Sequence, residues 1–340
     1  MFQTQIDLSA RNTLTLPARA EFFAAVDSVE QLAALARHPD LVGRRRFVLG
    51  GGSNLVLTGD FSGLVLHMNL KEKSLAGEDG EHYYVAAAAG ENWSDFVRWT
   101  LEQGWPGLEN LSLIPGTAGA APIQNIGAYG VEAGDFLHLV EALDLDAGRP
   151  CKFSIDDCAL GYRESLFKRE GWHLSGRYAI TRVIFRLPKR WRPRAAYGEL
   201  AAELVRAGIS QPTPGEMAAA VIALRQRKLP DPAEFPNAGS FFQNPIVSAE
   251  FAAALGEAHP GLPRYREADG RVKLAAGWLI EQTGWKGRNL GPVGMYEKQA
   301  LVLVNRGGAT FRDVQNLTRA VREAILARFG VNLVPEPVFL

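Results

Sequence analysis

The stretch IPGTAGAAPIQNIGAYG, residues 114 to 130, constrains the chain more than any other. It runs on Gly, Ala, Pro, Thr, Gln and Asn with few charged or large side chains, which makes it poor core and poor helix. A structureless segment of this length inside a compact domain is usually functional or disordered. The interleaved Ile114, Ile123, Ile126 and Tyr129 argue against disorder. Such a backbone suits a flat or phosphorylated ligand lying against it, because small residues let the main chain approach closely.

The flanking sequence divides into three units. SVEQLAALARH opens with a capping box from Ser28 to Gln31, and RRFVLGGGSNLVL reads as strand, glycine turn, strand. Residues 1–70 therefore form a small mixed unit. In a second unit, 71–208, EHYYVAAAAG is a strand, and NWSDFVRWTLEQG puts Trp93, Phe96, Val97, Thr100 and Leu101 on one helical face before Gly104 stops it. LVEALDLDAGR follows as strand and turn, then YAITRVIFRL as a half-buried strand. The third unit, 213–340, begins with Thr213 as N-cap, Pro214 at the first helical position and Glu216 completing the box. It continues through the helix KLAAGWLIEQTG, the strand ALVLVN, the helix TFRDVQNLTRAVREAILARFG and a final extended VNLVPEPVFL. Strands and helices mix without a regular alternation, which favours an α+β class over a doubly wound sheet.

Bulk properties narrow the function by exclusion. Lys plus Arg equals Asp plus Glu at 37 each in 340 residues, so no global charge draws the chain to nucleic acid or a membrane surface. The run Arg44, Arg45, Arg46 reads as a solvated junction, and no apolar run reaches the roughly 18 residues of a membrane span. The six histidines sit at no ligand spacing, and Cys151 and Cys158 fit neither a zinc site nor a disulfide framework. The expectation is a cytoplasmic protein without a metal.

Other stretches carry candidate chemistry. LGGGSNLVL packs three glycines and a Ser-Asn pair after a strand, which is either a nest for an anion or an ordinary hairpin turn. GYRESLFK sets Tyr162 beside Arg163, whose guanidinium can fork onto a carboxylate or phosphate or simply pair at the surface. In NAGSFFQNP a lone Ser240 stands between a small flexible tripeptide and two aromatic rings, either capping a turn or poised for chemistry. Lys228, Tyr197 and Glu336 are unremarkable in isolation.

Taken in order, LGGGSNL, IPGTAGAAPIQNIGAYG, GYRESLFK, NAGSFFQNP, GWLIEQTGWKG and VPEP resemble the UDP-N-acetylenolpyruvoylglucosamine reductases, flavoenzymes of bacterial peptidoglycan synthesis. The resemblance covers nearly the whole chain. It implies a vanillyl-alcohol-oxidase-type FAD-binding fold of two subdomains, with a C-terminal α+β substrate-binding domain whose last segment returns to the active site. FAD's pyrophosphate would meet Gly50, Gly51, Gly52, Ser53 and Asn54. The long loop would line the rest of the cofactor with Pro115, Gly116, Thr117, Gly119, Ala120, Gln124, Asn125, Gly127 and Ala128.

The resemblance also implies a reaction. NADPH passes a hydride to FAD, and flavin N5 delivers it to C3 of the enolpyruvyl group of UDP-N-acetylglucosamine enolpyruvate, giving UDP-N-acetylmuramate. Ser240 aligns with the general acid that protonates C2. Arg163 and Glu336 align with the pair flanking the substrate carboxylate, the glutamate holding or sharing a proton there. Tyr197 matches the tyrosine of the subclass with an extra loop over the UDP, and Lys228 the lysine that meets the diphosphate. Asn244 and Gln299 match uridine-diphosphate contacts, while Tyr129 and Tyr162 match tyrosines lining the pocket. The sequence departs from the pattern at Leu14, where relatives often carry an aromatic residue, and at Gln243, where a basic one is sometimes found. The expected partners are the small-molecule substrate and NADPH, with the chain a monomer. An oxidase of the same fold and a cofactor-free sugar-nucleotide sensor are the competing readings, and an acid beside an oxyanion clamp argues against the sensor.

Overall fold

The computed structural model describes all of residues 1–340. The chain divides into two compact units. The first comprises Met1–Asp7, Arg19–Gly52 and Asp60–Arg227, and the second Leu8–Ala18, Ser53–Gly59 and Lys228–Leu340. The helix Pro214–Lys228, opened by the expected Thr213–Glu216 box with bonds of 2.8 Å, thus groups almost wholly with the first unit.

The first unit holds two sheets. One runs in the order Gln3–Asp7, Arg19–Val26, Phe61–Met68, Arg46–Leu49, antiparallel in its first pair and parallel in the others. The helix Val29–Ala36 buries Leu32 and Leu35 against the shared core, and its Ser28 cap accepts from the Gln31 N–H at 3.1 Å. The other sheet is antiparallel, in the order Arg149–Ser154, Leu137–Asp144, Tyr178–Pro188, His82–Ala88, Lys73–Glu78. The helix Trp93–Glu102 packs Trp93, Phe96 and Val97 into the same core as Leu64, Leu66, Val85, Val183 and Phe185. Its Asn92 cap accepts from the Asp95 N–H at 3.0 Å, and Gly104 leaves it with φ +78°. Leu101, the last residue of the expected apolar face, is only partly buried.

In the second unit the sheet runs Asn237–Ser240, Val302–Asn305, Val293–Met295, Asn289–Leu290. The helix Phe311–Phe329 covers it with Val314, Leu317, Val321 and Ile325, closed as expected by Gly330 at φ +66°. A buried face at this spacing supplies most of a helix's stability, since propensity alone is marginal.

The segment 46–56 has the expected order of strand, glycine turn and strand, and its two strands take different partners: Arg46–Leu49 joins the first sheet, whereas Leu55–Val56 pairs in parallel with the C-terminal Val338–Phe339. A pairing partner so distant in sequence leaves no local signal. The arginine run lies at the expected helix-to-strand junction, with Arg44 and Arg45 exposed and Arg46 half-buried, and each side chain also has a partner. Arg44 pairs with Glu21 at 2.8 Å, Arg45 lies 5.1 Å over the ring of Phe61, and Arg46 bonds Asp146. No helix is long and apolar enough to cross a membrane.

Candidate active site

In the first unit the two glycine-rich stretches meet, main chain to main chain. A Cβ on Gly50 would stand 2.6 Å from Thr117 Oγ1, and one on Gly51 would stand 3.0 Å from Gly116 Cα. Gly119 is pressed on the 82–88 strand's exit in the same way, 2.6 Å from the Ala89 Cβ. The loop is therefore not structureless. It holds a 3-10 turn at Ala118–Ala120, a short helix at Ala121–Gln124 and a pairing of Gly127–Ala128 with Val131–Glu132. Nor is it poor core: Ala118, Ala121, Gln124 and Asn125 are all buried. Small side chains achieve this, because they let the backbone itself enter the packing.

Among the hydrogen bonds of turns and loops, none has the N–H of Gly51, Gly116 or Thr117 as donor. With Gly52 and Gly116 at φ +63° and +117°, this is a glycine-rich backbone concavity lined by unused donors, which fits a pyrophosphate. The donor set suits FAD in having hydrogen-bond donors and no carboxylate. Asn125 is engaged within the protein: its backbone N–H donates to the Ala121 carbonyl and its own carbonyl accepts from Arg163. Its amide donates to Glu132 at 2.7 Å and to the Gly161 carbonyl at 2.9 Å, and its Oδ1 accepts from the Gly134 N–H.

GYRESLFK docks on the far half of this loop. Gly161 and Glu164 form a tight bridge, and the Ser165 hydroxyl donates to the Ile123 carbonyl at 2.7 Å. Between them Arg163 takes a left-handed backbone, φ +54°, an uncommon state for a side-chain-bearing residue and one that gathers at functional sites. Its guanidinium donates to the carbonyls of Asn125 at 3.3 Å and Gly127 at 3.1 Å, and lies 5.4 Å from the Tyr162 ring centre. The sequence motif thus becomes a cation whose orientation is set by the binding loop.

Tyr129, at φ +49°, meets the ring of Tyr197 edge-on at 5.6 Å. Burial raises its phenol above the ordinary tyrosine range, so it is a neutral donor at physiological pH. Arg225 faces it and escaped the motif reading. Its Nε is shut from solvent with no hydrogen-bond partner, and burial lowers its affinity for the proton while Tyr129 opposes that shift. An arginine stays charged nonetheless, so this one is a half-buried cation whose Nε is enclosed. Nothing in RQRK marks the first arginine as the enclosed one.

In the second unit, the four residues from Asn237 to Ser240 oppose three on the partner strand, Val302 to Val304. This bulge, with Gly239 at φ +69°, re-aims the strand end. Asn237 fixes it by accepting from the Gly239 N–H at 2.9 Å. Ser240 is exposed, while Phe241 and Phe242 behind it are fully buried, so the rings anchor and the hydroxyl projects. The C-terminal segment runs alongside: the Glu336 N–H donates to the Phe241 carbonyl at 2.9 Å, and Phe242 bridges Pro335. Glu336 and Ser240 therefore share one edge of this unit. Asn244 and Gln299 meet at the start of the helix Ala276–Gln282, where Asn244 Oδ1 accepts from the Ala276 N–H at 2.9 Å and Gln299 Oε1 lies 3.6 Å from the Cβ position of Gly277. Lys228, half-buried, is the last residue of its helix.

A flavin-binding α+β protein is the class that this fold and cradle define, and residues 20–154 match the FAD binding domain family. Residues 231–340 match the UDP-N-acetylenolpyruvoylglucosamine reductase C-terminal domain. Reductases of that name from Dechloromonas aromatica and Azoarcus sp. are 61% and 56% identical to this chain, each over 99% of it and over 99% and 97% of their own lengths. The chain belongs to the UDP-N-acetylenolpyruvoylglucosamine reductases. The crystal structure of the reductase from Thermus caldophilus covers 100% of this chain and 99% of its own, with a TM-score of 0.69 at 24% identity, and so shares the fold. The protein is accordingly an FAD-containing oxidoreductase of peptidoglycan precursor synthesis.

Proposed function

We propose that the protein reduces the enolpyruvyl group of UDP-N-acetylglucosamine enolpyruvate, giving UDP-N-acetylmuramate, with NADPH as the electron source. FAD, held by this cradle, would supply the hydride chemistry between NADPH and the enolpyruvyl group. The chain's own residues do the rest. The subdomains 1–70 and 71–208 hold the flavin through the main chain of 50–54 and 115–128, and the part from 213 onward takes the substrate.

Ser240 gives the proton to C2. A serine is a weak acid, so it works because carbanion character makes C2 strongly basic as the hydride arrives, with a water relaying the replacement proton. Arg163 holds the substrate carboxylate, into which the developing charge spreads. Its fixed guanidinium stabilises that charge without reorganising at the moment of reaction. Glu336 flanks the same carboxylate and orients it. Tyr129, Tyr162, Tyr197, Lys228, Asn244 and Gln299 bind the UDP-sugar, and Arg225 adds a cation for its anionic part. All substrates being soluble nucleotides, we assign the protein to the cytoplasm, working as a monomer.

The observation that carries this reading is the bulge that projects Ser240 from a buried Phe241–Phe242 base, beside the C-terminal segment bearing Glu336. Binding alone needs no such exposed hydroxyl. Anaerobic visible spectroscopy tests the reaction: flavin bands should bleach with NADPH and return on adding the enolpyruvyl sugar. Bands that return only with oxygen would mean an oxidase instead.

A further inference from the structure

The connector from the strand Tyr178–Pro188 to the helix Gly198–Arg206 has no secondary structure of its own, yet it is tied down along its length. Trp191 Nε1 donates to Glu109 Oε1 at 2.7 Å. The Arg194 carbonyl accepts from Asn110 Nδ2 at 2.9 Å, and the same Nδ2 donates to the Tyr129 carbonyl at 3.0 Å. The Arg194 guanidinium pairs with Asp135 at 2.6 Å and lies 5.0 Å over the Phe136 ring. Glu109 and Asn110 are 2% and 0% exposed, in a 3-10 turn that makes no contribution to the chemistry above.

A buried carboxylate must have its oxygens satisfied. Glu109 achieves this with neutral donors alone: one oxygen takes the Gly107 N–H at 2.7 Å and the other takes the indole of the connector. Asn110 ties the connector's main chain to that of Tyr129, whose ring receives Tyr197 edge-on. Every tether thus converges on the short run leading to Tyr197, a residue 43% exposed that stands just before its helix.

We propose that Glu109, Asn110 and Trp191 form a latch that presets Tyr197 for the uridine-diphosphate part of the substrate. The inference rests on the substrate reading above. Ordering the connector in advance removes that entropy cost from binding, so the latch acts on substrate affinity and leaves the chemical step alone. Its members are positioning residues.

Trp191→Phe keeps a ring packed beside Leu200, Leu204 and Val221 and deletes only the donor. In the flavin-loaded variant the KM for UDP-N-acetylglucosamine enolpyruvate should rise about tenfold, the loss of one buried hydrogen bond, with kcat within about twofold of wild type. Trypsin should cut the connector at Arg190 or Arg194 several times faster, and added UDP-sugar should slow the cut. Glu109→Gln retains one acceptor oxygen and should shift KM the same way by less; it decides the matter if Trp191→Phe fails to hold flavin. Unchanged KM and unchanged trypsin rates in an active, flavin-loaded variant would overturn the latch, as would a kcat that falls as far as KM rises. If wild type itself does not turn over the enolpyruvyl sugar, the substrate reading has failed, and the trypsin rates still report whether the tethers hold the connector.

Discussion

Arg163 shows what a single residue gains from its setting. A left-handed backbone and two carbonyl acceptors fix the direction of its guanidinium before any ligand arrives. Lysine keeps the charge but cannot fork, so Arg163→Lys should lower kcat/KM by about 10² to 10³ with flavin content unchanged; steady-state assays with flavin quantitation check it. Cys158 makes a different prediction, in stability. It is fully buried, and burial pushes its thiol up from 9.0 to about 12. The folded state thus binds this proton more tightly than the unfolded one. The contribution is intact below about pH 9 and is lost as pH rises from there toward 12. Urea midpoints should fall across that window, and less so in Cys158→Ala measured against its own neutral-pH value. Residues of this scale divide sharply in how well the sequence announces them. Gly50, Gly51, Gly116 and Gly119 declare themselves, because only a backbone in contact needs so many missing side chains. Glu109 and Arg225 do not, because an enclosed charge in GLENL or RQRK is written with the same letters as an exposed one.

Among elements, the C-terminal strand is the most consequential. Val338 and Leu340 donate to the carbonyls of Asn54 and Val56, and Thr58 donates back to Leu340 at 2.6 Å, directly after the stretch that bears Glu336. Removing Val338–Leu340 deletes these three bonds and the one from the Thr58 hydroxyl to the Leu340 carbonyl at 2.7 Å, at roughly 1 kcal/mol each, so stability should drop by about 4 kcal/mol. With the tail released, Glu336 loses its fixed place and kcat should fall as well; urea unfolding and turnover on the truncated chain measure both. A loss of stability with kcat intact would show that the tail is structural only. Local pattern reading foresaw the helices Trp93–Glu102, Pro214–Lys228 and Phe311–Phe329, where cap, apolar face and stop agree. It found the two strands of 46–56 but left open whether they pair with each other, because two strands flanking glycines look the same whichever distant partners they take. It also undervalued 114–130, whose alanines are core only because the fold brings Gly50, Gly51 and Ala89 against them.

At the scale of the whole molecule, the cradle for the flavin lies largely in one compact unit, and the bulge bearing Ser240 lies in the other. On the proposed reaction, in which flavin reduction needs only the electron donor and substrate reduction also needs the hydroxyl at C2, this separation would let a mutation split the two half-reactions. Neither composition nor periodicity could assign those duties; the resemblance of the ordered motifs suggested them. The decisive measurement is stopped-flow spectroscopy of wild type and Ser240→Ala, each reduced anaerobically with NADPH and then mixed with UDP-N-acetylglucosamine enolpyruvate. The account predicts equal rates of flavin reduction by NADPH, and reoxidation by the enolpyruvyl sugar slowed in the variant by about 10² to 10⁴. Reoxidation at the wild-type rate in Ser240→Ala would contradict it.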